Sequence, residues 1–540
     1  MVRLLRVGIL LGCTSLAASA FATTYYIAAN GSDSNNGTST STPWLHAPAM
    51  TGCGANCLSK TLAPGDRFIL RGGDTWHFGG RGTPVGLPWV IYPASPNDPF
   101  PDGTASSHIY IGVDRTTPGA SGTGTVGWYD SAACGSSWCR PRLTGDNPLS
   151  TKTVSSCAYS STGTFVDIAS IQYLDLDDIE FSGVCDNGTY ISHGFGGSRG
   201  DHRVLSNLYF HGWSHTAGNG GNLYAMWGSS YGNANPNDDL NGLVCDGSDS
   251  EYSTFTCFMQ GITNIRNSVI RYNANGIITN SAKSFHDNLF ENIVESTING
   301  VHSNGFEQNT SFQSNNYIYN NLIRNIPAAV AVWSCTSSGQ TDFYFNNVMY
   351  NSPAGWSVSN GGASSNGNAC AGSGGVTTFL NNTFVDMGAG SNGSWSTNRA
   401  GNFLINSNWA GTVSGANTAT VAASDATANS YGYSATNGYA PTTPDCNNNQ
   451  SATACPVGKG VSLASTCAAL NAASPGVGDA LCRDTTLGPA YDIGTHRVHG
   501  PARVPALRPT IGAWDAGAFQ LSSSAAPTVN PPTGLTAIPK

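Results

Sequence analysis

Asn288-Leu289-Phe290-Glu291-Asn292, Asn321-Leu322-Ile323-Arg324-Asn325 and Asn347-Val348-Met349-Tyr350-Asn351 are three versions of one phrase. Each is an Asn, a short apolar stretch and a closing Asn. Looser copies begin at Asn207, Asn267 and Asn382, and Asp178-Ile179-Glu180-Phe181 is a degenerate earlier one. A second phrase alternates with the first: Asn275-Gly276-Ile277-Ile278, Asn299-Gly300-Val301-His302 and Ala329-Val330-Ala331-Val332. Self-similarity at roughly 20 to 50 residues marks a solenoid, propeller or array. No long run carries a helical period, and the apolar stretches are strand-like. Strands this short cannot bury a face alone, whereas stacked coils bury a continuous core. Asn suits a fixed corner because it tolerates left-handed backbone and bonds locally. Stacked in register, such side chains can also bond to one another.

Three further stretches extend the pattern. Thr24-Tyr25-Tyr26-Ile27 with its Gly/Asn turn and Thr42-Pro43-Trp44 opens the chain after residue 22. Pro64-Gly65-Asp66-Arg67-Phe68-Ile69-Leu70 reads as a first coil, and Ile511-Gly512-Ala513-Trp514 with Phe519 as a closing strand. With these, the chain resembles the right-handed parallel β-helix (pectate-lyase-like) family of secreted bacterial proteins over about 24–520, most plainly over 165–390. The resemblance implies an all-β, right-handed parallel β-helix solenoid with long loop insertions. It also implies a polysaccharide partner lying in a groove over the first parallel sheet.

Charge is sparse, at 10% of residues with a net of −9, and no basic patch is present, which argues against a nucleic-acid partner. Arg3 and Arg6, the apolar run 7–16 and small residues at 18–22 read as a secretory signal too short to span a bilayer. Leu11-Gly12-Cys13 offers a weaker lipoprotein reading. The expected product is a secreted, soluble monomer with no membrane partner. Of 15 cysteines, removing Cys13 with the signal leaves an even number, and an exported chain uses these as disulfides. Sequence order pairs neighbours: Cys53–Cys57, Cys134–Cys139, Cys157–Cys185, Cys245–Cys257, Cys335–Cys370, Cys446–Cys455 and Cys467–Cys482. Zinc spacing is not matched. The organisation reads as signal 1–22, opening coils with insertions 23–165, regular coils 166–390, C-terminal coils and cap 391–520, and a Pro/Ser-rich tail 521–540.

Chemistry-bearing residues are few. Placing Val301 inward on a first-sheet strand puts His302 outward, followed by Asn304 and Glu307 at the groove rim. His302, Glu307, Lys283 and His202 are the candidate acid–base residues. Asn304, His193, Trp213, Trp227 and Trp333 are candidate sugar contacts. Asp175 and Asp177 lie on one face of a strand and offer oxygens to Ca2+. Each has a plainer reading: exposed loop histidine, surface lysine, packed Trp, solvated strand face. Uronate elimination needs a base and a cation beside the carboxylate; hydrolysis needs two carboxylates. The arginine signatures of pectate lyases and the full motif set of polygalacturonases are absent, although Asp177-Asp178, Asp238-Asp239 and Ser192-His193-Gly194 are present. Lyase stands slightly ahead of hydrolase, with a non-catalytic glycan binder or adhesin as the alternative.

Overall fold

A computed structural model describes residues 22–78, 88–91, 100–115, 126–194 and 201–216, with short breaks at 152, 160–162 and 187. Beyond these it describes the strands and tight corners from 223 to 409 without most of the longer connections, and residues 460–520 except 516. The strands fall into three long sheets of nine, twelve and eleven members, here the first, second and third sheets. The chain visits them in rotation. Asn275–Thr279 belongs to the first, Ser284–His286 to the second, Leu289–Glu291 to the third, and Phe306–Gln308 to the first again, one coil on. Each strand pairs in parallel with its counterpart in the next coil. This is the parallel β-helix solenoid expected from the repeat; crossovers between parallel strands are right-handed almost without exception.

Strand alternation fills the tube. In Leu174–Asp177 both leucines are fully buried, and Asp175 lies on the opposite, partly exposed face. One core runs from Tyr25 and Trp44 to Phe379, with rings meeting coil over coil: Phe181 on Phe210 at 5.1 Å, Phe285 on Phe306 at 4.8 Å.

The corner between the second and third sheets shows what the Asn phrase does, with a correction. It is two columns rather than one. Asp178, Asn207, Asn267, Asp287, Asn320, Asn346 and Asn381 all adopt left-handed backbone, φ 51–57°. The residue after each is buried: Ile179, Leu208, Ser268, Asn288, Asn321, Asn347 and Asn382. Asp178, Asn207 and Asn267 therefore belong to the left-handed column, and Asn288, Asn321, Asn347 and Asn382 to the buried one. In the buried column Asn347 Oδ1 accepts from Asn321 N (3.1 Å) and Nδ2 (2.9 Å), and Asn382 Oδ1 does the same for Asn347. Each Nδ2 also donates to a carbonyl of the second sheet, such as Ile318 O at 2.8 Å.

Five of the expected disulfides are formed: Cys53–Cys57, Cys134–Cys139, Cys157–Cys185, Cys245–Cys257 and Cys467–Cys482. The expected pairs Cys335–Cys370 and Cys446–Cys455 include residues outside those described, and residues 1–21 and 521–540, read above as signal and tail, lie outside them as well. Among the described residues no helix is long and apolar enough to cross a membrane.

The C-terminal part differs from a simple cap. Strands Phe403–Ile405 and Asn408–Trp409 continue the second and third sheets. Residues 460–520 instead form a strap along the outside: helices Ala464–Ala473 and Val477–Leu481, then an antiparallel hairpin, Pro489–Asp492 with Arg497–Pro501. Leu463, Leu470, Leu481 and Trp514 cover Tyr317, Tyr319 and Phe345 on the outer side of the second sheet. Leu487 and Phe519 cover Val244, Val269, Leu289 and Val348 on the third. Trp514 and Phe519, expected in a closing strand, are thus packed in the strap. The left-handed column grips it. Asn346 Nδ2 donates to Ala480 O (2.8 Å) and Arg483 O (2.9 Å), Thr486 donates to Asp287 (2.5 Å), and Arg497 pairs with Asp178 (3.3 Å). At Gly488 (φ 68°) a Cβ would sit 2.7 Å from Asn288 O, so only glycine allows this approach.

Candidate functional site

Three predicted residues, Lys283, His302 and Asn304, lie outside the described residues. So does the Asn299–His302 phrase, and the described first-sheet strand of that coil starts at Phe306. The register of this sheet nevertheless joins several candidates. Trp227 pairs with Ser192 and Met259, and Glu307 with Ile278 and Trp333. Trp227, Glu307 and Trp333 therefore share one register column, adjacent to the buried column of Val166, Ile191, Met226 and Phe306. His193 lies in Thr189–Gly194, where the register shifts. The side chains of His193, Trp227, Glu307 and Trp333 lie outside what is described.

The best-formed group of titratable side chains lies at the corner leading into the second sheet. Ile109 pairs with Leu174, and Asp175 with Val204, so His108, Tyr173 and His202 occupy one position in three successive coils. The left-handed backbone at Tyr173 (φ 52°) and His202 (φ 55°) turns the chain into the strand. Tyr173 stacks on His202 at 4.5 Å and meets His108 at 5.4 Å. Each imidazole has a carboxylate. His108 Nδ1 lies 2.8 Å from Asp175 Oδ1. His202 Nδ1 lies 3.3 Å from Asp201 Oδ2, at ion-pair distance, and Asn237 Nδ2 donates to that same oxygen at 3.2 Å. Burial pushes the Asp175 carboxyl above the usual carboxylate range, against the His108 bond that lowers it. His108, held through Nδ1 by a carboxylate, keeps Nε2 for proton transfer, whereas His202 Nδ1 lies beside Asp201 without a hydrogen bond. The side chains are about a quarter to two fifths exposed, between 23% and 39%, so solvent can reach them.

The structure thus brings predicted His202 and Asp175 into one cluster and adds His108, Tyr173 and Asp201. His108 and Tyr173 escaped the sequence reading; the signal was an aromatic or imidazole ring directly ahead of a strand in consecutive coils. Asp177 takes a different role. Its carboxylate accepts from Arg115 Nε (2.5 Å), Tyr110 OH (3.1 Å) and Asn207 Nδ2 (3.0 Å). A carboxylate neutralised by a buried arginine does not fit a calcium site. Among the described residues the group with metal-ligand spacing is Cys157, Cys185 and Asp186, whose two sulfurs form a disulfide.

The tandem acidic pairs are likewise structural. Asp178 meets Arg115, Arg140 and Arg497; Asp238 pairs with Arg203 (2.5 Å), and Asp239 with Arg266 (2.6 Å). Glu291 is held by Arg271 and Arg324 on the third sheet, away from a first-sheet groove. Trp213 is fully buried in the core, against Gly247, so it packs rather than stacking on sugar.

No protein-family model matches the chain, and no curated protein matches it. Solved structures similar to it include a GH136 lacto-N-biosidase from Eubacterium ramulus, at 12% identity, covering 71% of this chain and 66% of that one, TM-score 0.38. This chain thus spans just under two thirds of that protein's length. The pectate lyase Pel9A is similar at 14% identity, covering 93% and 97%, TM-score 0.34. A rhamnogalacturonan lyase is similar at 13% identity, covering 68% and 74%, TM-score 0.31.

Proposed function

We propose that this chain is an extracellular carbohydrate-active protein that breaks glycosidic links in a polysaccharide. The observation that carries the reading is the ring column of His108, Tyr173 and His202, with Asp175 and Asp201 facing its two imidazoles. One ring per coil follows the solenoid axis, with Tyr173 stacked on His202 and His108 tilted against Tyr173. The polar edges recur about every 4.8 Å, the spacing of coils. A polymer of regularly spaced hydroxyls can meet such a ladder at several units, and acid–base groups within it can act on one link. Five disulfides in the described residues suit an oxidising compartment.

His202 and His108 act as the acid–base pair in either chemistry. Elimination further needs a cation beside the uronate carboxylate; the neighbours acting on Asp175 are His108 and Asp177, neither a permanent cation. Incubation with separate panels of uronate and neutral polysaccharides distinguishes the chemistries. Elimination yields an ultraviolet-absorbing unsaturated product, and hydrolysis yields reducing ends alone. His108→Ala and His202→Ala are expected to lower turnover by roughly a hundredfold or more while binding persists. Binding without product from any polymer makes the chain a glycan binder. Turnover unchanged in both variants removes the site.

A further inference from the structure

The tip of the strap, between Pro489–Asp492 and Arg497–Pro501, rests on the third sheet through a histidine. His496 lies flat on Tyr209, with centroids 4.4 Å apart and planes within 9°. Tyr209 stacks in turn on His211 at 4.2 Å. The Tyr491 hydroxyl donates to Asp246 Oδ2 at 2.9 Å and lies 2.9 Å from His496 Nδ1. Its one proton is committed to Asp246, so Nδ1 supplies the proton of the second bond. Nε2 is then the unprotonated nitrogen of a neutral ring. The backbone here is tied down as well: Arg140 donates to the carbonyls of Thr495 (3.3 Å) and His496 (3.1 Å).

The charges around this ring come from several third-sheet strands and from the hairpin itself. Asp246, on Val244–Asp246, lies 3.8 Å from Nδ1 and the same distance from Arg271 Nη1 of the next strand. Glu180, on Glu180–Ser182, is already taken by Arg142 (2.6 Å) and His211 (3.0 Å). His211 itself lies beyond Tyr209, and Arg140 approaches from the segment before the strand Arg142–Thr144. Tyr491 and Arg497 share the hairpin with His496. Both carboxylates thus have cationic partners before His496 is charged. A proton on Nε2 adds a cation next to Arg140 and His211, and the one carboxylate at ion-pair distance, Asp246 at 3.8 Å, is shared with Arg271.

We propose that this contact is an acid-released latch, in which protonation of His496 frees the hairpin tip from the third sheet while the rest of the strap stays anchored at the corner. Burial holds the imidazole below its ordinary range, which agrees in sign. A histidine docked in its neutral form contributes its full hold above the ordinary value of 6.5 and loses it as pH falls through the window below. The anchors left behind are uncharged or permanently charged near neutrality: Thr486 to Asp287, Gly488 N to Asn320 O, Asn346 to Ala480 and Arg483.

Amide hydrogen exchange of the full chain at about pH 7.5 and about pH 5, corrected for intrinsic rates, tests the latch. The expected result is a several-fold loss of protection over 489–501 at the lower pH, with 464–481 unchanged. His496→Phe keeps the ring stack and removes the titration, so its protection is expected to be equal at both pH values. His211→Phe should retain the response. An equal loss in His496→Phe, no loss in the unaltered chain, or a response abolished by His211→Phe instead overturns the proposal.

Discussion

Asn346 and Asn347 are chain neighbours with opposite tasks. The first, in left-handed backbone, reaches outward to the strap; the second turns inward and bonds the coil before and the coil after. Replacing Asn347 by Ala removes an acceptor used twice by Asn321 and donors used by Ile318 O and Asn382, all without access to water. Unsatisfied buried groups cost about 1–3 kcal/mol each, so Asn347→Ala is expected to lose roughly 2–4 kcal/mol in urea titration. Asn346→Ala should cost less globally, about 1–2 kcal/mol for left-handed backbone without Asn or Gly, and should raise exchange at the strap residues it holds. At this scale the sequence showed that Asn marks a corner, because the flanking apolar residues recur with it. It did not show which of two adjacent positions each Asn fills. In coils whose phrase reads Asn207-Leu208 or Asn267-Ser268, a single Asn serves the outer column alone. His108 and Tyr173 were illegible for a related reason: their meaning comes from the coil above, across a connection of variable length.

Among elements, the strap helices and hairpin hold on by different means. The disulfide Cys467–Cys482 joins the two helices across a separation of 15 residues. A loop of that size is worth about 3 kcal/mol by unfolded-chain entropy. Cys467→Ser with Cys482→Ser is expected to hasten proteolysis at 464–482 while the coils, followed by circular dichroism, keep their strand signal. The hairpin leans on charge. Burial pushes the Glu180 carboxyl up, yet its bond to His211 and the charges of His211, Arg142 and Arg140 outweigh this and hold it down to about 2. A carboxylate with a depressed value adds stability above its ordinary 4.5 and loses it as pH falls toward 2. Acid denaturation should therefore steepen between those values, and Glu180→Gln should flatten that limb of the stability curve. The strap was missed in the sequence, although a sign of it is present. Tyr317-Ile318-Tyr319 and Phe343-Tyr344-Phe345 are apolar at every position, and a strand apolar on both faces must be covered on both. The covering residues, Leu463, Leu470, Val477 and Leu481, lie in an Ala/Ser-rich stretch whose weak contrast hides them.

For the whole molecule, the strap's described hydrogen bonds and apolar contacts reach the second and third sheets and the corner between them. The first sheet and the corner carrying His108 and His202 lie elsewhere on the tube, which is where a long polymer is proposed to run. A chain ending at residue 459 is expected to expose Tyr317, Tyr319, Phe345, Val269 and Leu322 to water. Increased binding of a hydrophobic dye, together with association in sedimentation, would show it. Retained folding without either signal would mean that the strap is dispensable cover. The general plan was readable because a repeat imposes the same short-range rule many times. The connections between strands obey no such rule, and the expected groove residues His302, Asn304 and Lys283 sit in them.

The strap touches the left-handed column at Asp178, Asp287, Asn320 and Asn346, then reaches Thr383 through Ala518. A gene duplication that inserted one extra coil between those points would lengthen the tube but not the tether. The tether would then come up one rung short at one end, so repeat number and C-terminal length are bound to change together. An array that could otherwise grow freely is measured off by its own tail.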